Sequence, residues 1–259
     1  MPILRATLLA FGVLLIATPA AVRLSSARRR GAADRLRGLL TRGQDLGRLV
    51  LRGSLAKAWW AIAYRVYSDS VSLGLRRDLR VPFTGPTAKI PITVRPLQDS
   101  DDLSGLDPAP GLSADDAYAR LVQRRLLRSR LQTCYVAIAP EGKPCYMQWI
   151  IPPSENPRLR AVFGNLYPVL GPEEALLEGA YTFDAYRGKG IMGAAMTQVA
   201  EQAARFGGRW VVTFVDERNQ ASVKGCLRAG FSPYVKRHEK FRLFHRKVTF
   251  TQVEADALS

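Results

Sequence analysis

Along Ile90 to Val94 apolar Ile90, Ile92 and Val94 alternate with other positions, the period-2 pattern of a strand. "LQDSDDLSG" follows as a turn and the start of a short helix. In "SADDAYARLVQRRLLRSR" Ser113 and Asp116 stand in capping-box spacing and Tyr118, Leu121, Val122 and Leu126 share one face, which predicts a helix. "TCYVAIAPEGKPCYMQWIIPP" places two apolar runs around a Pro-Glu-Gly-Lys turn and predicts a hairpin. "EALLEGAYTF" reads as a strand, "GIMGAAMTQVAEQAARFG" as a helix stopped by Gly207 and Gly208, and "RWVVTFV" as a strand buried on both faces. "NQASVKGCLRAG" is a short helix ending at Gly230, two strands follow in "FSPYVKR" and "KFRLFHRKVTF", and residues 251–259 read as a polar tail. The order is that of an α/β (α+β) domain over residues 89–250.

Upstream the period changes. Residues 26–88 form a basic segment in which Leu36, Leu39, Leu40, Leu46, Leu49, Val50, Leu55, Trp59, Ala63 and Val66 recur at helical spacing among arginines. "AKAWWAIAYRVY" sets tryptophan and tyrosine beside cations, as helices at a membrane interface do. Packing of these helices on the α/β domain is the other reading. Before them, Ala6 to Val22 is uncharged and apolar. As a helix it would be about 26 Å long, just under the ~30 Å of a bilayer core, so residues 1–25 are expected to form a membrane anchor. Eleven basic residues against two acidic ones lie before residue 61, ten of the eleven after the apolar run. That asymmetry favours an anchor over a cleaved signal and puts the downstream chain on the cytoplasmic side of the membrane. A soluble cytoplasmic protein, with a start assigned too far upstream, is the alternative.

Composition narrows the chemistry. With 259 residues, 47% of them hydrophobic, the chain can bury a full core. Its net charge of +16 suits anionic partners. Three scattered cysteines give no disulfide framework, and two histidines without a ligand motif argue against a metal. No aromatic-interleaved basic motif supports nucleic-acid recognition.

Two motifs carry a family resemblance. Arg187-Gly188-Lys189-Gly190-Ile191-Met192 stands between a strand and a long helix, and "NQASVKGCLRAGF" follows after one more strand. Together they resemble the GNAT superfamily of acyl-CoA-dependent N-acyltransferases, whose mixed central sheet is flanked by helices. The resemblance covers about residues 89 to 250 and implies acetyl-CoA as co-substrate, a small-molecule amine as acceptor and no metal. At Met192 the sequence departs from the Gly or Ala usual in the family. The loop's physics agrees independently. The helix beginning at Gly190 or Ile191 has unpaired amides and partial positive charge, glycines permit close backbone approach, and Arg187 and Lys189 add full charge for a diphosphate.

Transfer to an amine needs a base, because amines are mostly protonated near neutral pH. Glu178, in register with Ala180 and Thr182, is the candidate, with Glu173, Glu174 and Asp184 as alternatives; a structural ion pair is its bland reading. By resemblance, main-chain amides around Tyr181 to Phe183 would stabilise the oxyanion, which puts Thr182 and Phe183 among the cofactor-binding residues. Seven residues after Asn219, where the family often has a tyrosine acid, stands Cys226; Tyr181 and Tyr234 are the fallbacks, and a buried cysteine of no chemical role is the alternative. The resemblance puts Asn219 and Ser222 near the pantetheine, while Asn219 also suits a helix N-cap. His238 and His245 are weak catalytic candidates. The expected protein is thus an N-acetyltransferase with an anionic or membrane-presented acceptor. The rivals are a CoA-binding regulatory module and a basic nucleic-acid-binding protein.

Overall fold

A computed structural model describes residues 63–131 and 133–253. Its strands are β1 (Tyr67–Asp78), β2 (Thr93–Pro96), β3 (Cys134–Ile138), β4 (Pro144–Ile151), β5 (Glu174–Thr182), β6 (Trp210–Asp216), β7 (Ser232–Arg242) and β8 (His245–Gln252). Its α-helices are α1 (Ala114–Arg128), α2 (Asn156–Phe163), α3 (Ile191–Glu201) and α4 (Gln220–Arg228). The strands make one mixed sheet in the order β2-β3-β4-β5-β6-β1-β7-β8, with β5 and β6 its parallel pair. The expected mixed sheet flanked by helices is what the chain forms.

Most predicted elements stand where the pattern put them. Ser113 caps α1, accepting from the Asp116 amide at 3.1 Å and donating to its carboxylate at 2.6 Å, a contact worth about 1 kcal/mol. Helix α3 is buried around most of its circumference, through Ile191, Ala195, Met196, Val199 and Ala200, because it packs on β4, β5 and α4.

Three expectations need correction. The helical spacing assigned to residues 26–88 does not continue through them: Tyr67–Asp78 is a strand, paired antiparallel to β6 on one side and β7 on the other. Val71, Leu73 and Leu75 alternate with Ser70, Ser72 and Gly74, and two flanking strands offer that segment a full ladder. Gly74 suits this central place, since a Cβ there would collide with the Val235 and Phe214 side chains. The first strand of the 89–250 region is Thr93–Pro96 rather than Ile90–Val94, and the last strand runs on to Gln252, into the stretch read as tail. Helix α2 was not foreseen; it is short, begins with Asn156-Pro157 and buries only Leu159. The anchor expected at 1–25, and the basic segment up to residue 62, lie outside the described residues.

Candidate active site

Two neighbouring strands part company in mid-sheet. β5 and β6 pair only from Glu174↔Trp210 to Leu177↔Thr213. Beyond that point β5 follows β4, with Glu178↔Trp149, Tyr181↔Met147 and Thr182↔Tyr146, while β6 follows β1, with Phe214↔Gly74 and Asp216↔Ser72. The sheet therefore opens at Glu178 and Phe214. On the β5 side, Gly179 and Ala180 together face the single residue Gln148, a bulge with Gly179 at φ 67°. A Cβ at Gly179 would stand 2.5 Å from Leu126 Cδ1 and 2.9 Å from the Trp149 ring, so both backbone and packing call for glycine.

The glycine-rich loop follows the end of β5 and leads into α3. Gly188 (φ 75°) and Gly190 (φ 72°) are both left-handed, and no atom lies within 4 Å of where a Gly188 Cβ would be. No side chain caps α3, which leaves its first amides to an incoming group. These features fit a diphosphate. Met192 does not intrude: its thioether lies against Gly225 of α4, where a Cβ would be 2.9 Å from Sδ. Ile191 is buried beneath the loop. Arg187 is already engaged, its guanidinium 2.7 Å from both Asp116 and Asp184 carboxylates, so it holds the loop to the start of α1. Lys189 lies over the Tyr186 ring at 5.0 Å.

On the α1 face of the opening sits a cluster that the sequence alone did not assemble. Glu178 accepts a hydrogen bond from the Tyr167 hydroxyl. Burial pushes the Glu178 carboxyl above its ordinary range, against the opposing pull of that hydroxyl, the Arg237 charge and the Gly179 amide. Arg237 is 9% exposed, between the rings of Tyr167 (5.3 Å) and Phe214 (5.0 Å). Its Nη2 donates to Ser72 Oγ at 2.9 Å, while Nε and Nη1 make no hydrogen bond of ordinary geometry among the described residues, although the guanidinium also acts on the nearby Tyr167 hydroxyl. The loop carrying Tyr167 is held by Asn156, which both donates to and accepts from Leu170, and by Arg246, whose Nη2 donates to Phe163 O at 2.5 Å. The missed signals were a tyrosine in a loop and one arginine among many; only the fold gives them meaning.

Cys226 belongs to the opposite face. It is 1% exposed, its thiol 3.8 Å from Met196 Sδ, and burial pushes its pKa up to about 12. Packed this way it fills the core as a small hydrophobe. Near it, the buried Tyr146 hydroxyl donates to Gln148 Oε1 at 2.7 Å, and Gln148 Nε2 has no partner among the described residues. Tyr181, on the Glu178 face, stacks edge-on with Phe183 at 5.3 Å and reaches Asp184 Oδ1 at 3.4 Å. Burial raises its pKa and Asp184 raises it further. Of the amides expected to serve as oxyanion donors, that of Phe183 is spent on Cys145 O at 3.1 Å. Thr182 ends β5 half-buried. Asn219 caps α4, its Oδ1 accepting from the Ser222 amide at 3.1 Å. Of the fallbacks, Tyr234 is raised by burial to about 12, and Glu173 and Glu174 stand at the far, paired end of β5. His238 contacts Thr251 at 3.0 Å on the exposed β7–β8 ladder, and His245 opens β8.

Residues 155–231 match the acetyltransferase (GNAT) family. No curated protein matches the chain. Among solved structures, a GCN5-related N-acetyltransferase from Sphaerobacter thermophilus is similar at 18% identity and TM-score 0.38, over 73% of this chain and 57% of that one. An acetyltransferase of the GNAT family from Colwellia psychrerythraea is similar at 15% identity and TM-score 0.42, over 74% and 59%. The chain thus spans less than two thirds of either protein's length. The yncA protein of Salmonella typhimurium, solved with its cofactor acetyl-CoA, is similar at 17% identity and TM-score 0.35, over 64% and 95%. The matched segment contains the parting strands, the glycine loop, α3 and α4, and over these residues the chain is similar to the GNAT acetyltransferase family.

Proposed function

We propose that the protein transfers an acetyl group from acetyl-CoA to the primary amine of a small acceptor by direct attack. The observation that carries this reading is the opening between β5 and β6, with a raised-pKa carboxylate at its edge and an uncapped helix N-terminus at the end of β5. In the proposed arrangement the amides of Gly190 to Met192 take the diphosphate, and Gly188 leaves them accessible. Lys189 supplies charge, and Arg187 fixes the loop. Asn219 and Ser222 line the pantetheine side, while Thr182 and Phe183 flank the thioester. Glu178 removes the proton from the attacking ammonium, so that the neutral amine adds to the thioester carbonyl. Collapse then breaks the carbon–sulfur bond and releases the CoA thiolate, while the second proton of the attacking nitrogen passes to solvent. With Cys226 enclosed in the core, the thiolate leaves without help from that residue.

Arg237 supports an acceptor that carries an anionic group near its amine. Two guanidinium nitrogens, Nε and Nη1, that make no hydrogen bond of ordinary geometry among the described residues stand beside Glu178 and suit a carboxylate or phosphate, since a buried donor left unmet costs ~1–3 kcal/mol. Membrane attachment through residues 1–25, on the cytoplasmic side, is part of the same proposal and is checked by fractionation of the full chain without detergent.

Isothermal titration of the full chain with acetyl-CoA is the direct test. Saturable binding that Gly190→Asp abolishes is the expected result; absence of binding by the folded wild-type protein overturns the reading. Binding without acceptor-dependent release of thiol across an amine panel would instead assign the chain to CoA sensing.

A further inference from the structure

The β7–β8 turn departs from ordinary hairpin chemistry. A two-residue turn with both central residues at positive φ is normally built from Asn and Gly. Here the two residues are Leu243 (φ 46°) and Phe244 (φ 66°). A left-handed backbone costs an ordinary L-residue roughly 1–2 kcal/mol. Neither side chain recovers this by burial, for Leu243 is 80% and Phe244 61% exposed. On the adjoining strand Tyr67 is 66% exposed, with the Arg242 guanidinium 3.8 Å from its ring centre. Three large apolar or amphipathic side chains thus project from one end of the sheet.

Around them stand the exposed cations Lys240, Arg242 and Lys247, with Arg65 beside Phe244 in the backbone pairing, as a cationic collar. The nearby acids are already paired, Asp69 with Arg242 and Glu239 with Arg246, whose guanidinium is turned inward onto Phe163 and Asn165. The chain also enters the described domain at this end. Leu243 N–H donates to Val66 O and Phe244 N–H to Arg65 O, both at 2.8 Å. Residues 1–62 precede this point in the sequence, and they include the uncharged run Ala6 to Val22 and eleven basic residues before position 61.

We propose that the β7–β8 tip docks on an anionic lipid bilayer, with Leu243 and Phe244 entering the interfacial layer and the collar meeting the headgroups. Two side chains at a narrow turn are enough to enter a bilayer interface but too few for the core of a protein interface. Each lysine or arginine near an anionic surface adds ~1 kcal/mol, so the exposed cations of the collar would strengthen contact with anionic headgroups. The proposal stands apart from the acetyl-transfer reading.

The cysteines Cys134, Cys145 and Cys226 are buried, so Phe244→Cys in the full chain can be labelled selectively with an environment-sensitive dye. Phosphatidylcholine vesicles containing phosphatidylserine should shift the dye emission to the blue, and high salt or pure phosphatidylcholine should weaken the shift. Adding Leu243→Asp should remove it, while acetyl-CoA titration stays unchanged. Leu243→Cys, labelled in the same way, serves should the first variant fail to fold. Emission indifferent to anionic vesicles at both positions overturns the proposal. So does a vesicle-independent blue shift, whether it grows with protein concentration, as a second copy would cause, or stays constant, as cover by the chain's own N-terminal segment would.

Discussion

Tyr167 closes over Glu178: the loop tyrosine donates its hydroxyl hydrogen to Oε2 of the carboxylate at the point where β5 leaves β6. Glu178→Gln should lower kcat by about 10²- to 10⁴-fold, the usual share of a general base, with acetyl-CoA affinity preserved. The base acts when ionised and burial raises its pKa, so the acid limb of kcat/KM should lie above the ~4.3 of an ordinary glutamate. The same upward displacement means that the folded state holds the proton more tightly than the unfolded chain. The stability tied to Glu178 is therefore complete below its unfolded pKa and lost as pH rises through its folded one, a slope that Gln should remove from thermal melts.

Tyr167→Phe deletes a hydrogen bond that favours the ionised carboxylate. Its acid limb should move to higher pH, with the plateau rate changed far less than in Glu178→Gln. An unmoved limb would separate the hydroxyl from the base.

Arg237→Met should weaken kcat/KM by on the order of 10- to 100-fold for an amine bearing a carboxylate, the range for a hydrogen bond to a charged group. A matched amine whose carboxylate is an amide should escape that loss. For both acceptors the acid limb should rise, because the Arg237 charge favours ionised Glu178. Equal losses for the two would deny Arg237 a part in recognition.

Asp116→Asn should release Arg187 from one of its two carboxylates while leaving an oxygen to accept from the capping hydroxyl of Ser113. Exposed ion pairs are screened by water and weak, so acetyl-CoA should bind up to about 5-fold more tightly, as calorimetry can measure.

Gly179→Ala combines a left-handed backbone angle with a collision against Leu126 and Trp149. Loss of about 2–4 kcal/mol is expected in denaturant unfolding, from left-handed strain together with overpacking. A smaller loss would mean that the bulge relaxes, and acetyl transfer should then fall with it.

What the sequence revealed was local. The capping box at Ser113, the hairpin around Gly142, the apolar run of β6 and the glycines ahead of α3 each declare themselves within a few residues, and all fold as expected. β1 was hidden because helical spacing up to Val66 runs straight into it, and its ladders join residues far along the chain. Helix α2 buries too little to impose a period. Tyr167 and Arg237 carried no motif, and the engagement of Arg187 by Asp116 depends on how α1 meets the loop. The residues of the glycine loop were thus legible, whereas their neighbours across the opening were set by tertiary pairing.

The central place of β1 also bears on how the chain folds. This strand leaves the ribosome before either of its partners, and its ladders to β6 and β7 must wait until nearly all the remaining sequence has been made. Pairings so distant in sequence are slow to form, because the loop between them must be closed before any contact rewards it. Until then the half of the sheet beyond β5 has no inner strand to build on. Nascent chains halted before residue 210 should accordingly remain sensitive to protease in β1 even when the β3–β4 hairpin has become resistant.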